Sequence, residues 1–71
     1  MEEAEIVNNI RVLRFNQGEM TQQQLADKVG VTRQTINAIE AAKYSPSLEL
    51  AFRIAEVFNV SVEEVFQYNS T

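Results

Sequence analysis

Arg33, Gln34 and Asn37 fall within five residues of one another, and each ends in a planar group that hydrogen-bonds at two points. Guanidinium and carboxamide groups can pair bidentately with the edges of guanine and adenine in a major groove. The neighbouring Ala38 and Ala41 are small enough to let a backbone approach closely. At about 100° per residue, Gln34, Asn37, Ala38 and Ala41 share one side of a helix, Arg33 flanks them in its first turn, and Ile36, Ile39 and Glu40 share the other side. Such a helix has the polar outer face and apolar inner face that base reading requires. The same residue types also decorate ordinary solvated helices, so the rest of the chain must discriminate.

Other chemistries are excluded by composition. The 71 residues contain neither Cys nor His, which removes disulfides, Cys or His metal sites, and Cys–His or Ser–His nucleophiles. The chain is therefore read as a non-enzyme without metal or cofactor, and its length fits a single domain over residues 1–71. Six basic against ten acidic residues give a net charge of −4, which taken whole argues against a polyanionic partner. The distribution reverses that inference. Residues 1–10 carry −3 and residues 44–71 carry −3, whereas residues 11–43 hold five basic and three acidic groups, a net +2. The imbalance predicts weak non-specific affinity for nucleic acid, with discrimination left to the polar helix face. An acidic start, Met1-Glu2-Glu3-Ala4-Glu5, and the lack of a long apolar run lead us to expect a cytoplasmic protein.

The elements that position these residues read as all-α. Only two Gly and one Pro interrupt the chain, and apolar residues recur at spacings of three and four. Ile6, Ile10 and Leu13 predict a first helix from about Ala4 to Asn16. Thr21 with Gln24 forms a capping box for a second, which buries Leu25, Ala26 and Val29 and stops at Gly30. Thr32 caps a third, running to about Ala42. Ser47 caps a fourth with Leu50, Ala51, Ile54, Ala55 and Phe58 on one face, and Ser61 with Glu64 opens a fifth that ends near Tyr68. All five should share one core. The junctions Val29-Gly30-Val31-Thr32 and Phe58-Asn59-Val60-Ser61 follow one recipe, a tight turn that makes helices cross steeply. Only the first precedes a helix with a polar outer face, which places a helix-turn-helix unit at about residues 21–42.

The spacing of Leu25 and Ala26, Gly30 and Val31, and Ile36 and Ile39 between Gln22 and Ala41 resembles the helix-turn-helix signature of the Cro/C1-type (XRE) repressor family. The likeness extends to Ile10-Arg11-Val12-Leu13-Arg14 and to Ser45-Pro46-Ser47-Leu48-Glu49-Leu50-Ala51, covering roughly residues 8 to 66. It implies a five-helix, lambda-repressor-like DNA-binding domain in which Arg33 and Gln34 read bases and Asn37 also faces the groove. The resemblance further implies that Gln22 contacts a phosphate at the start of the second helix, and that Thr32, Lys43 and Tyr44, with Gln23 and Thr35, contact the backbone. Glu40 lies on the apolar side of its helix, where a lone carboxylate would be costly. The family pattern supplies Arg14 as its partner in a structural ion pair. One departure is Ala42, which stands where many members have Gly, so the usual left-handed cap is either strained or replaced. Another is the lack of an effector or oligomerisation domain of the kind longer repressors carry.

A single recognition helix spans few base pairs, so a homodimer with two such helices about 34 Å apart on a palindromic operator is expected. Phe52, Val62, Val65, Phe66 and Tyr68 either form that isologous interface or complete the core. The resulting expectation is a sequence-specific transcriptional regulator, a repressor in its simplest form. Two rivals share the fold. An antitoxin would grip its toxin with a tail, of which about three residues follow the fifth helix, and a protein-interaction module would place apolar residues where Arg33, Gln34 and Asn37 stand.

Overall fold

In the computed structural model, which describes residues 4–70, hydroxyl side chains open four helices. Thr21, Thr32, Ser47 and Ser61 accept from the backbone N–H of Gln24, Thr35, Leu50 and Glu64 at 3.0, 3.2, 3.1 and 3.3 Å. They start α2 (Gln22–Val29), α3 (Arg33–Glu40), α4 (Leu48–Phe58) and α5 (Val62–Val65). Both expected capping boxes are complete, since Gln24 and Glu64 accept in return from the N–H of Thr21 and Ser61. The remaining helix, α1 (Ile10–Asn16), starts differently: Asn8 Oδ1 accepts from the Ile10 N–H at 3.1 Å.

Three helices end alike. Val31, Lys43 and Val60 donate their N–H back to the carbonyls of Ala26, Ala38 and Ala55 at 3.1, 2.9 and 3.1 Å. Each closure passes through one left-handed residue: Gly30 at φ 80°, Ala42 at φ 60° and Asn59 at φ 57°. Gly takes this conformation freely and Asn tolerates it, but Ala pays about 1 kcal/mol because its Cβ approaches the following carbonyl oxygen. The cap is thus kept and strained, and α3 ends at Glu40 rather than near Ala42.

The expectation of an all-α chain is corrected at both ends. Ala4–Asn8, predicted as the start of a helix, is strand β1, and Phe66–Ser70 is strand β2, so α5 ends at Val65 rather than near Tyr68. The two pair antiparallel, with Ala4 opposite Ser70, Ile6 opposite Tyr68 and Asn8 opposite Phe66. Ile6, Ile10 and Leu13 mimic a helical stripe, yet the adjacent β-branched Ile6 and Val7 followed by Asn8-Asn9 suit a strand and a turn better. The cross-strand pairs of Ile6 with Tyr68 and Asn8 with Phe66 then decide the matter.

Ile10, Leu25, Ala26, Val29, Ile36, Ile39, Leu50, Ile54, Ala55, Phe58 and Val65 form one buried cluster to which every helix contributes. Ala26 is fully buried between α2 and α3, where a larger side chain would push the helices apart. Among the described residues no helix is long and apolar enough to cross a membrane.

Candidate nucleic-acid interface

The outer face of α3 follows from what its inner face buries. Ile36 and Ile39 are fully enclosed, and this fixes the rotation of the helix so that Arg33, Gln34, Asn37 and Ala41 are exposed and Ala38 is half-buried. The three side chains singled out for base contact thus share one accessible surface. Thr32 is spent in part on its own helix: its hydroxyl caps Thr35 and lies 3.0 Å from the Thr35 hydroxyl. Lys43 and Tyr44 stand exposed just beyond the other end of α3. Gln23 is exposed on α2, where its amide donates to Asp27 Oδ1 at 2.8 Å.

Behind this face runs a connected polar network. Arg14 grips Glu40 with two bonds, Nε to Oε2 at 2.5 Å and Nη2 to Oε1 at 3.0 Å, and its Nη1 donates to the Met20 carbonyl at 2.7 Å. Gln22 adds a further donor, with Nε2 3.2 Å from Glu40 Oε1 and 3.4 Å from Asn37 Oδ1. The ion pair read from Glu40's apolar position is therefore present. It is also joined to α3's outer face through a glutamine that sequence reasoning assigned to phosphate alone. Bonding at Asn37 Oδ1 orients that carboxamide and leaves its Nδ2 donors unused.

Two contributors were not anticipated. Asn8 Nδ2 donates to the carbonyls of Ile39 at 2.9 Å and Glu40 at 3.5 Å, so β1 holds the last turn of α3. Arg53 of α4 reaches the Val29 carbonyl at 3.4 Å beside the α2–α3 turn, while bonding Glu49 at 2.8 Å. The Asn8-Asn9 dipeptide was a legible turn signal for the first; nothing local marks the second.

Of the residues considered for a dimer interface, Val65 is fully buried in the protomer core and is unavailable. Val62 and Phe66 are half-buried and pack against that core. Phe52 and Tyr68 remain 58% and 72% exposed.

Residues 10–65 match the family model described as Helix-turn-helix. An uncharacterised HTH-type transcriptional regulator from Archaeoglobus fulgidus is 52% identical over 60 residues, covering 84% of each chain. One from Methanocaldococcus jannaschii is 59% identical over 49 residues, covering 69% of this chain and 74% of its own. Among solved structures, a Bacteroides fragilis protein provisionally described as DNA-binding superposes with a TM-score of 0.77 at 27% identity, covering 87% of this chain and 98% of that one. The steeply crossed α2 and α3, the left-handed turn at Gly30 and these likenesses agree: the chain belongs to the Cro/C1-type (XRE) helix-turn-helix family of DNA-binding transcription regulators.

Proposed function

We propose that this protein binds double-stranded DNA sequence-specifically, laying α3 in the major groove as a homodimer on a palindromic operator and repressing the promoter that the operator overlaps. The observation that carries this reading is the exposed trio Arg33, Gln34 and Asn37 on a helix whose opposite side is locked into the core by Ile36 and Ile39. In this reading Arg33, Gln34 and Asn37 meet base edges, which specify, while Gln22, Thr32, Lys43 and Tyr44, with Gln23 and Thr35, meet the sugar-phosphate backbone, which positions. Gln22 serves both groups, since the amide that would approach a phosphate also holds Asn37. The net +2 of residues 11–43 supplies the attraction, and the acidic segments on either side limit non-specific binding.

Selection of bound duplexes from a random pool tests the reading directly. Enrichment of an inverted repeat with half-site centres about one helical turn apart is the expected result. Recovery of unenriched sequence at moderate salt would overturn it.

A further inference from the structure

A groove of about 360 Å³ lies between the β1–β2 ribbon and the loop that follows α3. Ile6, Phe66 and Tyr68 line it from the ribbon, and Tyr44 and Pro46 line it from the loop. Tyr68, Tyr44 and Ile6 are 72%, 54% and 39% exposed, a cluster of apolar surface contributed by two separate elements. None of the groove's lining residues is ionisable at neutral pH other than the two tyrosines, which are neutral there.

Charge decides what can cover it. Each copy of this chain carries −4, so two copies repel unless they meet where neither presents carboxylates. The hollow around Phe52 fails that condition, because Glu49, Glu56 and Glu63 line it against the single cation Arg53. The hollow beside Val12 and Phe15 is lined by Arg11, Arg14 and Glu19. The ribbon groove satisfies it. Strand β2 also lacks the charge or proline that ordinarily keeps an open strand edge from meeting another chain.

Shape favours the same occupant. An isologous interface must be self-complementary, carrying a projection and the recess that receives it on one surface. Here Tyr68 is the projection and the space between the ribbon and Pro46 is the recess. The ribbon is moreover fastened to the recognition helix, since Asn8 of β1 donates to the Ile39 and Glu40 carbonyls at the end of α3. A two-fold axis at the ribbon would therefore hold two α3 helices at one separation.

We infer that a second copy of this chain docks on the ribbon groove, each copy placing Tyr68 between the ribbon and the loop after α3 of the other. The inference deepens the homodimer named above and moves it from α4 and α5 to the ribbon. Sedimentation equilibrium without DNA, from micromolar to hundreds of micromolar, is the test. The wild-type chain should sediment at twice 8.1 kDa. Tyr68→Glu, which sets two carboxylates near the axis, should raise the dissociation constant at least about 30-fold, and Tyr68→Ala about tenfold, with the thermal melting of each monomer retained. Phe52→Glu should leave the dimer intact. A wild-type monomer throughout the range would overturn the inference and give the groove to another segment or another protein; so would a dimer that Phe52→Glu dissociates and Tyr68→Glu does not. The DNA reading fails separately: a Tyr68-dependent dimer with no base preference would refute base reading by α3 and leave the groove assignment standing.

Discussion

Arg14 on α1 and Glu40 at the end of α3 face each other side-on, two nitrogens against two oxygens, at 15% and 10% side-chain exposure. Helices that never touch DNA in the proposed mode are thereby tied to the one that does. Removing one partner leaves an uncompensated charge in a poorly hydrated place. Glu40→Leu or Arg14→Leu alone should each lower the unfolding free energy by about 2–3 kcal/mol in urea titrations, and the double variant should recover at least half of the combined loss. Additive losses would show that the pair contributes nothing beyond its separate packing.

Ala42 holds a left-handed backbone that glycine would adopt at no steric cost. Ala42→Gly should therefore stabilise the protein by about 0.5–1 kcal/mol, a rise in Tm of roughly 2–8 °C for a domain of this size. Gly30→Ala imposes the reverse change. A methyl there meets only Arg53 Nη1 at 3.8 Å, so its expected cost of about 1 kcal/mol arises from φ 80° alone. Scanning calorimetry of the two variants checks one mechanism with opposite signs.

Asn8 joins three backbone groups: it accepts from the Ile10 N–H and donates to two carbonyls of α3. Asn8→Ala should cost about 1–3 kcal/mol. Asn8→Asp keeps the acceptor for Ile10 but sets a carboxylate against the carbonyls, so it should be at least as damaging as alanine. Denaturation midpoints that rank aspartate near wild type would show that the link from β1 to α3 is dispensable.

Base-reading and positioning residues separate by how they fail. Arg33→Ala or Gln34→Ala should relax preference at one position per half-site, at about 1–3 kcal/mol, as read by competition with substituted duplexes. Lys43→Ala should weaken all sequences alike and reduce the slope of log affinity against log salt by about one. Uniform weakening by all three variants would remove the distinction on which the proposed reading rests.

Local chemistry made most of this fold readable. Thr21, Thr32, Ser47 and Ser61 act within three residues of themselves, so their caps could be placed without any tertiary information. Gly30 and Asn59 marked their turns for the same reason. The ribbon was not legible, because Ile6 finds Tyr68 across nearly the whole chain and its spacing to Ile10 and Leu13 suits a helix equally well. Likewise Glu40 announced a missing partner through its position on an apolar face, whereas Gln22 gave no sign that its amide would bridge that carboxylate to Asn37.

The register that sets Ala4 beside Ser70 makes the path of the backbone nearly a closed ring. Its cyclic order, more than its opening point, defines the domain. Joining the two ends through a short linker and cutting instead at the exposed Gln17-Gly18 turn would preserve every helix and the ribbon, and the same proximity suits the unit to insertion within a surface loop of a larger host protein.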